Sequence, residues 1–179
     1  MPCVTATPTS HPLKRGFDEF YGHLGGGHTY FPEKLTIRRS QDAKDESESY
    51  RTWLLKNYEP VQPRKYITDD FSDEAVAFIE RNRDWPFFLF LSYNAPHTPL
   101  EATDKYLNRF PAIKDNKRKT YAAMVSAVDD GVGRVLKELK RYEKFIKSKL
   151  LDKLIFSKDI TQLQKIIISK KLSIINVKQ

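Results

Sequence analysis

The run Phe87–Tyr93, FFLFLSY, sets the tightest limit on how this chain can fold. Pro86 precedes it and the polar turn NAPHTP follows. An almost unbroken apolar run of strand length, without polar alternation, is typical of a strand buried on both faces in a parallel sheet. Helices are expected on either side of it. Thr68 or Asp69 caps a helix through about Arg83, whose acidic first turn (Asp69, Asp70, Asp73, Glu74) suits the helix dipole. Phe71, Ala75, Phe78 and Ile79 give that helix an apolar face. Further on, Tyr121, Val125, Val128, Val132, Leu136 and Leu139 recur every three or four residues, a stripe expected to pack on the sheet. Lys117, Arg118 and Lys119 oppose the dipole at that helix's start, at a cost of about 0.3–1 kcal/mol each if exposed. Helix, strand, loop and helix in this order is α/β organisation.

The 179 residues suffice for one ordinary domain or for a piece of a larger one. No run approaches the length of apolar sequence that a transmembrane helix needs, so no membrane span is expected. MPCVTATPTSHPLKRG lacks the apolar centre of a signal peptide, which leaves localisation open. Cys3 is the single cysteine, so an internal disulfide is excluded. The formal net charge of +8 points to nucleic acid only until it is located. Residues 140–179 hold eleven basic and three acidic side chains, which accounts for all of it, and residues 1–139 are neutral. No nucleic-acid partner is therefore expected for the body of the chain.

The same boundary separates two compositions. All seven glycines and all ten prolines precede residue 140, whereas eight of twelve isoleucines follow it. Two readings of the Lys/Ile-rich 140–179 tail stay open. It forms one or two helices, since Ile146, Leu150, Leu154 and Ile160 keep helical spacing, or it was never selected to fold against the rest. Upstream, residues 11–32 combine Gly, His and aromatics without periodicity and are expected to form an ordered loop. Residues 33–66 are polar, with exposed strands or a hairpin expected around Tyr50 to Tyr58.

In open α/β sheets, ligand sites gather at the carboxyl ends of strands. His97 falls there, between Pro96 and Pro99, which restrict the backbone around the imidazole. A histidine so placed can donate to an anionic oxygen or protonate a leaving group, or it can be a structural residue bonded within the turn. His28 follows Gly25–Gly27, where close backbone approach is allowed, and faces either the cleft or nothing in particular. His11 and His23 are taken as surface residues. Asp129 and Asp130 are adjacent on a helix and so point about 100° apart, which suits a solvated or packing role better than a shared metal.

GFDEFYGHLGGGH at 16–28, TDDFSDEAVAFIERN at 68–82, PFFLFLSYNAPHTPLEA at 86–102 and YAAMVSAVDDGVGRVLKEL at 121–139 together resemble the sulfatase family, of the arylsulfatase type. The resemblance covers roughly residues 11–139, the middle of a sulfatase N-terminal domain. It implies an alkaline-phosphatase-like α/β fold, of which residues 1–139 are a part, and hydrolysis of sulfate esters. A sulfated small molecule or glycan is the implied substrate. The implied nucleophile is formylglycine, made from a cysteine in Cys-x-Pro-x-Arg, and the implied metal is calcium, held by an Asp pair and an Asp-Asn pair. The histidine of the Pro-His-x-Pro turn maps onto His97, which would bind the sulfate and assist departure of the ester oxygen.

The sequence departs from that pattern. Thr5 and Thr7 stand where Cys-x-Pro-x-Arg requires Pro and Arg, so Cys3 is not a formylglycine site. No Asp-Asp pair precedes His11, and the Gly-Lys-x-His-Leu-Gly segment that family members carry before HPLKRGFDEFYG is missing. No metal ligand is therefore assigned. The chain is expected to be inactive alone, either as part of a sulfatase or as a non-catalytic sulfatase-like module that binds sulfated ligands or a partner.

Overall fold

The computed structural model describes residues 11–156, with side chains described through Lys147. The expectations for Cys3 and Ile160 lie outside the described residues. In chain order the elements are β1 (Tyr21–Gly22), α1 (Glu46–Ser49), β2 (Leu54–Lys56), β3 (Glu59–Val61), α2 (Ile67–Asn82), α3 (Asp104–Leu107) and α4 (Asn116–Phe156). The three short strands form one antiparallel sheet in the order β1-β2-β3. Asn57 makes the β2–β3 hairpin turn at φ 58°, a left-handed conformation that Asn tolerates, and its Oδ1 accepts from the Phe20 amide at 3.0 Å. Pro60 sits on edge strand β3, where its missing N–H costs no ladder bond.

α2 begins one or two residues ahead of the expected caps. Tyr66 is its N-cap, without a side-chain cap bond, so neither Thr68 nor Asp69 takes that role. Ile67, Phe71, Ala75 and Ile79 are buried as one stripe. α4 is N-capped by Asp115, whose Oδ1 accepts from the Arg118 amide at 2.7 Å. That carboxylate sits amid the basic first turn and offsets its unfavourable charge. The helix runs on through the compositional break at residue 140 to Phe156.

Two expectations give way. Of the stripe Tyr121, Val125, Val128, Val132, Leu136 and Leu139, Val128 packs against the core and Leu139 is half-buried, but Tyr121, Val125, Val132 and Leu136 are exposed rather than packed on a sheet. Ala123, Met124 and Ala127 are buried instead, in a cluster with Tyr30, Tyr66, Ala95 and Tyr106, and Gly131 meets Ser72 of α2. Small residues win that contact because they let the backbones approach. A Cβ on Gly131 would stand 2.4 Å from both Ser72 Oγ and Tyr93 Oη, and those two hydroxyls are themselves hydrogen-bonded at 2.9 Å. Gly131→Ala is accordingly expected to destabilise the fold by about 1–3 kcal/mol despite alanine's better helix propensity. Equal or higher stability in a denaturant titration would contradict this packing.

Phe87–Tyr93 is the second correction. It has no strand neighbour among the described residues, and its odd-numbered side chains are half-buried while the even-numbered ones are exposed. Phe87, Leu89, Leu91 and Tyr93 turn inward: Phe87 meets Phe78 and Tyr142, while Leu91 and Tyr93 pack on the Leu35–Leu54–Ile67–Phe71 cluster. Phe88 and Phe90 point outward and are 72% and 68% exposed. A strand buried on both faces needs a layer on each side, and the described residues provide one. The second core, Tyr30, Tyr66, Ala95, Tyr106, Ala123, Met124 and Ala127, lies beneath the turn that carries His97.

Candidate functional site

The extended segment delivers its carboxyl end to a turn whose Ala95–Pro96 and Thr98–Pro99 bonds are both cis. The His97 amide donates to Asn94 O at 2.9 Å, closing the turn. From beneath, the Tyr30 hydroxyl donates to His97 O at 2.7 Å, and burial raises that phenol's pKa so that it remains a donor. The Tyr30 amide donates to Glu101 Oε2 at 2.8 Å, and Lys34 Nζ meets Oε1 of the same carboxylate at 2.6 Å. The turn is thus clamped from both ends.

The imidazole of His97 is exposed, but it is not loose. Its Nδ1 lies 2.7 Å from Thr98 O, which makes Nδ1 the N–H donor and leaves Nε2 directed elsewhere. Its Nε2 has no protein partner among the described residues. The ring backs directly onto Gly27: a Cβ there would stand 2.9 Å from His97 Cε1 and Nδ1 and 2.8 Å from Tyr50 Cζ. Tyr50 presents its ring edge-on to His97, centroids 6.4 Å apart. Asn94 Nδ2 donates to His28 O at 2.9 Å and joins the glycine loop to the strand end.

His28, expected to contribute to substrate binding, turns both ring nitrogens to the backbone. It is 1% exposed, and both ring nitrogens are engaged by carbonyls, Thr29 O at 2.8 Å and Thr52 O at 2.7 Å. Its work is to hold the loop that supports His97. Burial depresses its pKa, partly offset by those two carbonyls. His11 is likewise buried rather than superficial, stacked on Tyr58 at 4.6 Å and bonded to Asn57 O at 3.0 Å. His23 is half-buried, stacked on His28 at 4.8 Å, and lines the same groove as His97. Asp130 forms a bidentate pair with Arg109, 2.8 and 2.7 Å, tying α4 to the end of α3.

His23 makes the fold sensitive to acid. Burial, with the neighbouring His28 second, lowers its pKa from 6.5 to about 4. The unfolded chain therefore takes up a proton near pH 6.5 while the folded chain waits until about pH 4, so stability falls as pH drops through that window. The full contribution is at most about 3 kcal/mol. His23→Gln is expected to flatten the slope of stability between pH 7 and pH 4. A slope identical to the parent would exclude His23 as its source.

His97 opens onto a groove of about 1100 Å³ between the 15–26 loop and the extended strand. Its walls bring together Arg15, Phe17, His23, Phe88, Phe90 and Asn94. The free Nε2 of His97 thus stands at the edge of this groove. The family model described as Sulfatase matches residues 5–147, and the chain belongs to that family. It is 35% identical to the uncharacterized sulfatase YdeN of Escherichia coli (strain K12), across 73% of this chain and 20% of that one. It is 30% identical to arylsulfatase J of Mus musculus, over 73% and 21%, and 30% to human N-acetylgalactosamine-6-sulfatase, over 74% and 24%. The crystal structure of Ps i-CgsB in complex with k-i-k-neocarrahexaose superposes at TM-score 0.68 with 48% identity, covering 76% of this chain and 32% of that one. The chain is therefore part of an alkaline-phosphatase-like α/β fold, and it spans 20–24% of the length of these curated relatives.

Tyr30, Tyr50 and Asn94 carry no periodic or motif signal in the sequence, so pattern reading passes over them. Gly27 gives a better clue, because three consecutive glycines beside a histidine signal a close approach without saying to what.

Proposed function

We propose that this chain supplies the sulfate-facing histidine of a sulfatase acting on sulfated oligosaccharides. The observation that carries the reading is the free Nε2 of His97, held at the mouth of the groove while Nδ1 is committed to Thr98 O. Cleavage of a sulfate ester gathers negative charge on the bridging oxygen. An imidazolium whose Nδ1–H is fixed on a carbonyl can give its Nε2 proton to that oxygen, and Gly27 and Tyr50 limit how far the ring swings. The oligosaccharide class is supported by the groove's size and by Ps i-CgsB, which was crystallised with a neocarrahexaose.

The family resemblance also implies calcium and formylglycine. Among the described residues there is no group of three or more His, Cys, Asp or Glu side chains able to hold a metal ion. The chemistry that this chain contributes is that of His97.

The test is calorimetric binding of k-i-k-neocarrahexaose and its desulfated counterpart to the full chain. Sulfation is expected to tighten binding about tenfold, roughly 1.4 kcal/mol, and His97→Ala to abolish that preference. Equal affinity for both sugars would reject the reading. In a colour-releasing aryl sulfate assay with calcium, the chain alone is expected to show no turnover above its His97→Ala variant.

A further inference from the structure

Of the four histidines in the chain, three are accounted for. His11 and His28 each turn both ring nitrogens to the backbone, and His97 is fixed at Nδ1 with Nε2 left to the groove. His23 has no part in that arrangement, although it lines the same groove. Its ring lies nearly parallel to those of His28 and Phe71, at interplanar angles of 29° and 18°, so packing sets its orientation. Its Nδ1 lies 3.2 Å from Gly25 O, and a carbonyl only accepts, so that nitrogen carries the hydrogen. Nε2 has no partner among the described residues and is not sealed from solvent, which leaves it to the groove. Burial lowers the pKa of the ring to about 4, so near neutral pH it is uncharged and Nε2 presents a lone pair.

We propose that His23 is a specificity-determining residue of this groove, accepting at Nε2 a hydrogen bond from a hydroxyl of the sugar whose sulfate faces His97. The inference rests on the oligosaccharide reading and adds to it the group that is read beside the sulfate. A lone pair repels a sulfate oxygen, which has no hydrogen to give, and attracts an O–H. His97 does the reverse, because its Nε2 donates when the ring is charged. The two rings thus divide the work, one donor for the anion and one acceptor for a neutral hydroxyl. One loop sets both: Gly25, which holds Nδ1 of His23, is two residues from Gly27, against which His97 backs. An acceptor fixed in this way discriminates against a ligand without the hydroxyl, because it is then left unpaired in the occupied groove. The ligand class is therefore a sulfated sugar that keeps a free hydroxyl near its sulfate ester, in preference to a fully substituted sugar.

The experiment is calorimetric binding of k-i-k-neocarrahexaose to the full chain, with its hydroxyls free and with them methylated. Methylation removes the donors and keeps the sulfates. It is expected to weaken binding to the parent about fivefold and to His23→Phe less than about twofold. His23→Gln is expected to respond as the parent does, because the glutamine carbonyl restores an acceptor. Phenylalanine keeps a ring to stack on His28. A parent indifferent to methylation, or a His23→Phe variant as sensitive as the parent, would overturn the proposal. In the parent itself, the 15N resonance of His23 Nε2 is expected to move with the free sugar and to stay fixed with the methylated one. A resonance fixed with both would overturn the proposal even if His23→Phe failed to fold. Loss of the hydroxyl preference with the sulfation preference intact rejects this assignment alone. Equal affinity for the sulfated and desulfated hexaose rejects the sulfate reading and this assignment with it, so the two failures are distinguishable.

Discussion

Gly27→Ala is expected to weaken the proposed binding of a sulfated oligosaccharide about tenfold or more, while Gly26→Ala is expected to leave it unchanged. The two positions are neighbours in the same loop, but their surroundings differ. A methyl at 26 meets nothing within 4 Å. A methyl at 27 would enter the His97 imidazole at 2.9 Å and the Tyr50 ring at 2.8 Å, closer than Cβ atoms come to other heavy atoms. Both rings must move, and a displacement near 1 Å is enough to misplace a catalytic group badly. Because those rings are at the surface of the turn and not in the core, the thermal midpoint is expected to shift little. Comparable losses at 26 and 27 would show that the loop acts through flexibility, and no loss at 27 would show that His97 does not need its backing.

Tyr21→Phe has the largest expected effect on stability. Asp70 is fully buried, and its Oδ2 accepts a hydrogen bond from the Tyr21 hydroxyl. Among the described residues its Oδ1 has no hydrogen-bond donor and faces the exposed Arg64 guanidinium at 3.6 Å. Burial and the Asp70 carboxylate together push the Tyr21 phenol far above its ordinary value, so it stays protonated and donates at all working pH. Deleting the hydroxyl leaves a fully buried carboxyl without that donor, at an expected cost of about 3 kcal/mol. In a chain of this size that lowers the melting midpoint by roughly 6–12 °C. Adding Asp70→Asn to Tyr21→Phe should restore part of the loss, since a neutral amide is less costly to leave unpaired. A Tyr21→Phe variant as stable as the parent would mean that Arg64 alone compensates the carboxylate. The contact matters for the site because β1 leads directly into the Gly25–Gly27 loop.

Local signals in the sequence were legible where short-range rules decide the outcome. The acidic first turn and apolar stripe of α2, the hairpin near Tyr58 and the Pro-bounded turn at His97 all depend on residues within a few positions of one another. Longer-range choices were not legible. Periodicity marked the large apolar residues of α4 as its packing face, but the buried line carries Ala123, Met124, Ala127 and Gly131, and at Gly131 the approach of Ser72 and Tyr93 leaves no room for a side chain. Nothing about His28 in sequence reveals that carbonyls 1 and 24 residues away occupy both of its nitrogens. His11 is hidden in the same way by a contact with Asn57, 46 positions distant. Phe88 and Phe90 match the composition of a buried strand, yet both are exposed, because no described layer lies over that side of the segment.

The central claim is that His97 Nε2 faces the sulfate group. It is tested most directly by titrating the 13C,15N-labelled chain with k-i-k-neocarrahexaose while following the His97 Cε1–Hε1 resonance. A saturable shift of that resonance, absent with the desulfated sugar and much reduced in Gly27→Ala, is the predicted result. A His97 resonance that stays fixed while other groove residues respond, or that moves equally for both sugars, would contradict the claim.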